Sequence, residues 1–479
     1  MKEDNKTKSR IISNLIWRYA ERCGAQGVAF IVALVLARIL DPELYGTIAI
    51  VTILTTILQV FVDSGMGNAL IQNKDTDDLD YSTVFFFNVV LCCVLYAIAF
   101  CAAPLVSKFF DRPELTPIVR VLCLTIVFSG VKNVQQAYVS KTMQFKRFFY
   151  ATLGGTIGAA VVGIVMALRG FGVWALVTQQ VFNVAIDTLI LWITVRFRPK
   201  LMFSFQRLKR LFSYGWKLFV STLFDTVYTN AFQLLIGKWY SSAELAFFNK
   251  GKQFPELIIT NVNSSIDSVM FPVASSMQDR IDDLKQLTRR AIKTSSFIIW
   301  PVVTGLAVCG KPLITVLLTE KWLPCVPFLQ IFCFSYAFWP IHTANLNAIK
   351  AVGRSDIFLK LEILKKAIGI LLLVIAFPRG VLAIGITFLL TDPISAVINA
   401  APNVKLINYS YREQIRDIMP ALLLSLVMGA FVLAISFIKI NVILVLIIQI
   451  MAGICIYVGG AILFKVESFG YILNLIRRK

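Results

Sequence analysis

The sequence predicts an all-α, polytopic membrane protein. Its 479 residues are 57% hydrophobic and only 15% charged, and the mean hydropathy is +0.75. Apolar runs recur along the whole chain, and helices satisfy their own backbone hydrogen bonds in lipid. These observations exclude a soluble globular domain.

About fourteen stretches are long enough to cross a bilayer, for which a helix needs ~20 residues. They lie near residues 11–40, 44–66, 81–106, 116–138, 148–168, 172–194, 213–239, 243–275, 294–318, 324–349, 357–377, 380–403, 416–438 and 441–465. Basic residues concentrate in alternate loops, so both termini are predicted to be cytoplasmic. This distribution explains the net charge of +20 without a nucleic-acid partner.

The first span carries charges where lipid would favour apolar residues. Arg18, Glu21 and Arg22 share one helical face, which Gln26 continues. The uncharged stretch 23–37 is about 15 residues, or ~22 Å of helix, which is shorter than a hydrocarbon core of ~30 Å. The helix must therefore include the charged turn, and charges inside a membrane typically mark a ligand or ion pathway.

The eighth span is predicted from topology rather than from hydropathy. The loops 196–210 and 280–293 are both basic, so an even number of crossings separates them. One crossing is 213–239, and the return must run through 243–275 despite its polar residues. Polar side chains at steps of three or four form a stripe that must face a cavity or protein.

The two halves of the chain resemble each other at an offset of about 200 residues. Trp17 matches Trp216, and the residues 36–44 match 236–245 with one insertion. Spans 1–6 and 7–12 therefore predict two six-helix lobes, and repeats of this kind are common in transporters with the site between the halves. The expected division is an N-terminal lobe at 1–198, a cytoplasmic basic linker at 199–212, a C-terminal lobe at 213–403 and two further helices in 404–479.

The main candidate site is for an anionic or pyrophosphate head group. The planar guanidinium group of Arg can donate two parallel hydrogen bonds to phosphate oxygens, and the ammonium group of Lys adds a localised positive charge. A second interpretation also fits these cations, because Arg and Lys can extend from a helix end to the membrane surface. The candidate residues come from spans one and eight: Arg18, Glu21, Arg22, Gln26, Asn249, Lys250, Lys252 and Glu256.

Other polar residues are candidates for ion coupling or for lining the cavity. Asp225 and Asp267 could bind a coupling cation or proton, or could neutralise the basic residues of the cavity. Gln59, Asn263 and His342 are predicted to line the cavity, although a buried, hydrogen-bonded role fits His342 equally well.

No metal site, cofactor or ATPase domain is expected. A single His cannot form a His-based metal cluster, and the nine Cys lie mostly in apolar stretches without a C-x-x-C motif. The sequence has no P-loop motif, so transport would depend on ion gradients or on consumption of the product.

Two motifs indicate a family. LARILDPELYGTIAI (36–50) and DSGMGNALIQNKD (63–75) resemble the polysaccharide flippases of the Wzx type, in the multidrug/oligosaccharidyl-lipid/polysaccharide (MOP) exporter superfamily. The basic tract before Ser213-Tyr214-Gly215-Trp216 also fits. The resemblance covers essentially the whole chain. It implies a V-shaped fold in the bacterial inner membrane, with a central cavity lined by spans 1, 2, 7 and 8.

The resemblance also implies a function and partners. An undecaprenyl-pyrophosphate-linked oligosaccharide of O-antigen, capsule or exopolysaccharide would move to the outer leaflet by alternating access, without an enzymatic step. In related lipid II flippases, cationic residues of spans 1 and 8 bind the pyrophosphate. Arg18, Arg22 and Lys252 occupy comparable helices of this chain. In span 8, this chain has Lys where those flippases have Arg. The expected partners of this monomer are membrane lipids, a monovalent cation or proton, and a polysaccharide polymerase.

Two other function classes compete with this interpretation. A cation-coupled multidrug antiporter of the same superfamily would need an acidic, aromatic cavity rather than one rich in Arg and Lys. A membrane-embedded glycosyltransferase or ligase would carry its catalytic carboxylate in a large outer loop, and no predicted loop is long enough for one.

Overall fold

The computed structural model of the chain describes residues 24–63, 66–72, 76–438 and 440–477. Within these ranges the regular secondary structure is helical, as predicted. Two 3-10 helices lie at Glu320–Cys325 and Phe377–Arg379. The α-helices are α1 (described over Gly24–Ile39), α2 (Pro42–Asp63), α3 (Met66–Gln72), α4 (Asp78–Phe110), α5 (Leu115–Leu122), α6 (Leu124–Lys141), α7 (Phe145–Leu168), α8 (Val173–Thr194), α9 (Phe205–Trp239), α10 (Ser242–Ser276), α11 (Ile281–Val308), α12 (Gly310–Leu317), α13 (Val326–Tyr336), α14 (Trp339–Ala351), α15 (Ser355–Ala376), α16 (Val381–Leu406), α17 (Tyr411–Ile435), α18 (Val442–Leu463) and α19 (Glu467–Arg477).

Ten segments of the described chain are long and apolar enough to cross a membrane by length and composition. They are α2, α4, α5 with α6, α7, α8, α11, the segment Glu320–Ala351, α16, α17 and α18. A helix also lies at each remaining predicted span, in α1, α9, α10 and α15. The described part of α1 is short, and charged side chains interrupt the apolar runs of the other helices.

Side-chain caps fix the start of two long helices in the first half of the chain. Asp77 accepts a hydrogen bond from the backbone N–H of Asp80 (2.9 Å) at the start of α4. Ser204 accepts one from the N–H of Arg207 (3.4 Å) at the start of α9. Such caps satisfy N–H groups that have no partner in the first turn of a helix. Helix α9 consequently begins inside the predicted linker 199–212.

Contacts divide the chain into two compact units, Met1–Ala246 and Phe247–Lys479. In the first unit, α7 packs along α8, α4 packs along α6, and α9 packs against α2 and α3. Gly155 permits the close approach of α7 to α8, because a Cβ there would lie 2.9 Å from the Asn183 carbonyl oxygen. An apolar core that includes Met66, Leu70 and Val84 lies beneath these contacts.

In the second unit, α11 packs along α17, α16 packs against α13, α14 and α15, and α17 packs against α18. A buried carboxylate joins α11 to α17. Arg289 donates to the two oxygens of Asp417 at 2.6 and 3.0 Å, and Tyr409 donates its hydroxyl at 2.8 Å. This bidentate geometry is among the stronger side-chain contacts in proteins, and it stabilises the unit.

The turn between α1 and α2 recurs about 200 residues later between α9 and α10. The Leu40 N–H donates to the Leu36 carbonyl at 2.8 Å, and the Tyr240 N–H donates to the Ile236 carbonyl at 2.9 Å. Each connection consists of two residues. The sequence match at 36–44 and 236–245 therefore corresponds to matching backbone geometry.

Gly46 allows α2 to touch the N-terminus of α10 within the first unit. A Cβ on Gly46 would overlap the backbone carbonyl of Ser242, so a larger residue does not fit. Nearby, Arg112 donates to the Ser242 hydroxyl, and Lys238 pairs with Asp111 at 2.7 Å. The glycine of the motif LARILDPELYGTIAI thus has a packing role.

Candidate functional site

The first unit contains a polar cavity of about 470 Å³ between α2, α6, α8 and α9. Ten of its twelve lining side chains are polar, and Asp63 is the ionisable group among them. The lining hydroxyls belong to Thr55, Thr56, Thr125, Ser129, Thr222 and Thr226. The lining amides belong to Gln59, Gln180 and Asn183. Gln59 was predicted to line a cavity, and it lines this one.

Hydrogen bonding within the helices determines which groups of the cavity remain available. The hydroxyls of Thr55 and Thr56 donate to the Thr52 carbonyl at 2.9 and 2.8 Å, so their oxygens remain as acceptors. The side-chain amides of Gln180 and Asn183 make no hydrogen bond within the described part of the chain. The cavity therefore presents unused donors and acceptors together.

Two polar contacts surround the carboxylate of this cavity. Asp63 accepts from the amides of Gln59 and Asn133, both at 3.4 Å. Behind the cavity wall, Lys132 of α6 pairs with Asp187 of α8 at 2.8 Å, with side chains only 15% and 12% exposed. Its two members are 55 residues apart in the chain, so the sequence does not show that they pair.

Helix α10 carries the predicted polar stripe as one continuous helix, although Pro255 and Pro272 inside it each lack an N–H for a helical hydrogen bond. It is 35 residues long, and Asn249, Lys252, Glu256 and Asn263 are each half-buried. Lys252 forms an ion pair with Glu256 at 3.6 Å. Asp267 is exposed and accepts a hydrogen bond from the Asn347 amide at 2.9 Å.

Lys250 lies on a different face of α10 from Lys252. It is 7% exposed, donates to the Gln253 side chain at 3.1 Å, and its Nζ lies 5.7 Å from the ring centre of Trp322. A cation above an indole face is attracted by the ring quadrupole. Protein contacts therefore surround this ammonium group, whereas Lys252 remains more accessible.

A second polar cluster lies between α13, α14 and α16. The Nδ1 atom of His342 lies 3.1 Å from the Asn399 side-chain nitrogen, and Nε2 is buried with no partner in the described chain. Ser335 donates to Asp392. Sequence reasoning did not single out Asp392, because its partner is 57 residues away in the chain.

The remaining predicted site residues belong to other places. Asp225 of α9 is exposed, next to the cavity-lining Thr226, and Gln26 is exposed on α1. Arg18, Glu21 and Arg22 lie outside the described residues. No group of three or more His, Cys, Asp or Glu suited to a metal ion occurs in the part of the chain that the structure describes.

The second unit contains an apolar groove of about 410 Å³. It lies mainly between α11, α12, α17 and α18, and its walls include Gly305, Leu446 and Gly453. Its polar side chains are few: the Gln449 amide nitrogen donates to the Val432 carbonyl at 3.1 Å, and the Gln449 Oε1 is buried without a partner in the described chain. The groove therefore offers hydrocarbon contacts rather than hydrogen bonds.

The structure is similar to solved transporters. Lipid II flippase MurJ in an inward closed conformation gives a TM-score of 0.75 at 14% identity, covering 94% of this chain and 98% of that chain. An inward-facing multidrug resistance MATE family transporter of the MOP superfamily gives 0.62 at 14% identity, covering 82% and 98%. The chain is therefore a multi-pass helical membrane protein with the MOP superfamily fold.

The chain belongs to the family described as polysaccharide biosynthesis protein, whose model matches residues 35–327. Lipopolysaccharide biosynthesis protein WzxC of Escherichia coli (strain K12) is 23% identical over 439 residues, covering 88% of each chain. Succinoglycan biosynthesis transport protein ExoT of Rhizobium meliloti (strain 1021) is 21% identical over 348 residues, covering 72% of this chain and 70% of the relative. The predicted family is thereby confirmed.

Proposed function

We propose that this protein translocates an undecaprenyl-pyrophosphate-linked oligosaccharide across the bacterial inner membrane by alternating access. The proposal rests mainly on the polar, incompletely buried face of α10. In a chain of the polysaccharide biosynthesis family, this 35-residue helix holds Lys252, Asn249 and Asn263 on an incompletely buried face. Polar faces inside a membrane protein mark substrate pathways.

The head-group site of the proposal combines this face with the first span. Lys252 supplies a positive charge for pyrophosphate oxygens, and its ammonium forms an ion pair with Glu256 at 3.6 Å. Arg18 and Arg22, with Glu21 to orient them, are the proposed partners from the sequence. Lys250, stacked on Trp322, would act through its field rather than by contact.

The apolar groove of the second unit supports a lipid-linked cargo. A groove of about 410 Å³ with mainly apolar walls suits part of a long polyprenyl chain. Polar side chains are few along its walls, and one of them, Tyr457, donates its hydroxyl to the Phe297 carbonyl at 2.7 Å.

The proposed topology has about fourteen crossings and cytoplasmic termini. The helices at every predicted span support the count, and the basic loops support the orientation. The lobes would be 1–198 and 213–403, with the linker 199–212 between them and two more helices in 404–479. Recurrence of the α1–α2 turn at α9–α10 supports such a repeat.

The energy source and partners complete the proposal. Asp225 and Asp267 would bind a coupling monovalent cation or proton, and the protein would act as a monomer that passes its product to a polysaccharide polymerase. No enzymatic step or cofactor is proposed, because relatives with this fold include a flippase and a multidrug transporter.

Proteoliposome transport tests the proposal. A fluorescent undecaprenyl-pyrophosphate-linked oligosaccharide is placed in one leaflet, and its arrival in the other is followed by quenching with dithionite. We expect transport by the full chain, and a loss of about tenfold in Lys252→Ala and in Arg18→Ala. Lys209→Ala, at an exposed position of α9, is the matched control and should transport normally.

Two results would contradict parts of the proposal. Unchanged transport in both variants would remove the head-group site while leaving the flippase function intact. Cation-driven efflux of hydrophobic drugs without glycolipid transport would favour a multidrug antiporter, the function class of the MATE transporter with a similar fold.

A further inference from the structure

We propose that the polar cavity of the first unit binds the saccharide part of the substrate and selects among glycans. The inference rests on the proposed function and adds a site to it. Helix α10 would bind the head group, and the cavity between α2, α6, α8 and α9 would bind the sugar. None of the family matches assigns a role to this cavity.

The chemistry of the lining fits a sugar. Hydroxyl groups of a saccharide donate and accept hydrogen bonds, and a side-chain amide does both from adjacent atoms. Gln180 and Asn183 lie on one face of α8, and their side chains make no hydrogen bond within the described chain. Across the cavity, the hydroxyls of Thr55 and Thr56 donate to the Thr52 carbonyl of their own helix. Their oxygens therefore remain available to accept hydrogen bonds from a sugar.

The lining groups are accessible to a ligand. Gln180 and Asn183 are half-buried, and Thr222 is exposed. A ligand rich in hydroxyls could exchange hydrogen bonds with these groups in place of water. The cavity volume of about 470 Å³ also lies within the ~300–1,000 Å³ range of small-molecule sites.

The carboxylate of the cavity can accept hydrogen bonds from saccharide hydroxyls. Asp63 is the ionisable group lining the cavity, and its carboxylate accepts from the amides of Gln59 and Asn133. Lys132 behind the cavity wall pairs with Asp187, so it does not neutralise Asp63 as well. A monovalent cation is therefore the ligand that competes with the sugar for this carboxylate.

The sugar-specific part of binding provides the test. The full chain in lipid nanodiscs is titrated with two probes: the lipid-linked oligosaccharide extracted from source cells that lack this protein, and undecaprenyl pyrophosphate without sugar. The variants are Gln180→Leu and Asn183→Ala. Gln206→Leu, at an exposed position at the start of α9, makes the same chemical change as Gln180→Leu outside the cavity.

We expect the unmodified protein to bind the glycan-bearing lipid about tenfold more tightly than the sugar-free lipid. Each cavity variant should lose most of that preference, while Gln206→Leu should retain it. Unchanged binding of the sugar-free lipid shows that each variant is folded.

The outcomes separate the two proposals. A preference that persists in both cavity variants, or sodium binding to the purified chain that Gln180→Leu abolishes, would overturn the saccharide site and leave the flippase function standing. Absence of binding of either lipid to the unmodified chain would overturn the proposed function itself, and with it the saccharide site.

Discussion

The cavity of the first unit and the groove of the second have similar volumes, about 470 and about 410 Å³, but opposite linings. Hydroxyls and amides line the cavity, whereas aliphatic side chains and glycines line the groove. Candidate membrane-spanning helices contribute to both, α2 and α8 to the cavity and α17 and α18 to the groove. Helix length therefore sets where these elements lie, and the side chains on their inner faces set what each can bind.

The difference matches the two ends of a glycolipid. A saccharide needs hydrogen-bond partners that lipid cannot supply, and a polyprenyl chain needs contact without such partners. A cation-coupled drug antiporter would instead need carboxylates and aromatic rings, and Asp63 is the carboxylate that lines the cavity. The contrast between the two linings thus supports an amphiphilic cargo.

The largest expected effect is on the stability of the polar unit. Asp187→Ala leaves Lys132 without its partner at 2.8 Å, in a place where both side chains are more than four-fifths buried. Breaking such a pair costs about 3 kcal/mol in the free energy of unfolding, measured by denaturant titration in detergent.

Two comparisons calibrate that result. Asp78→Ala removes the partner of Lys200 in an exposed pair of the same unit, and should cost about 1 kcal/mol or less. Lys132→Met combined with Asp187→Leu should recover most of the loss, because two apolar residues replace the pair. Equal losses in Asp187→Ala and Asp78→Ala would mean that the ion pair does not stabilise the cavity wall.

The helices could be predicted from the sequence, but the cavity could not. Apolar runs locate the spans because each run must match the bilayer thickness. Even α10, whose residues are too polar for that criterion, followed from the alternation of basic loops. Its continuous helix over Ser242–Ser276 agrees with the predicted span 243–275.

The cavity is different because its residues become neighbours only through packing. Ser129, Gln180 and Thr222 belong to three helices, and nothing in their local sequence distinguishes them from hydroxyls and amides that bond within a helix. Asp392 and Ser335 illustrate the same point in the second unit. Gln59 was identified because it belongs to a stripe within one helix, which a sequence does show.

The groove provides the next test of the comparison. Gly453→Leu adds a side chain to its wall, where a Cβ would lie 3.5 Å from a Val432 methyl group. The larger side chain should occupy volume that the polyprenyl chain would otherwise fill. We expect affinity for undecaprenyl pyrophosphate to fall about tenfold, or ~1.4 kcal/mol, because the polyprenyl chain loses packing contacts along the groove wall.

Gly459→Leu is the matched control, because a Cβ there meets no atom within 4 Å on the same helix α18. It should bind both lipids normally. The preference of Gly453→Leu for the glycan-bearing lipid should be unchanged, since that preference is assigned to the first unit. A selective loss of sugar preference in Gly453→Leu would instead show that the groove and the cavity do not have separate roles.

The smallest expected effect concerns Lys252, which is proposed to bind the pyrophosphate that joins the sugar to the lipid. Glu256→Gln removes the carboxylate 3.6 Å from its ammonium, and exposed fractions of 19% and 38% indicate a weak ion pair. Such a pair contributes roughly 0.2–1 kcal/mol. Binding of undecaprenyl pyrophosphate should therefore tighten by about two- to threefold, and the gain should shrink at high salt, where charges are screened.

Glu362→Gln is the matched control, because it makes the same change in net charge in the Lys365 pair of α15. An equal gain in that control would assign the effect to net charge, whereas a gain confined to Glu256→Gln would locate the phosphate contact at Lys252.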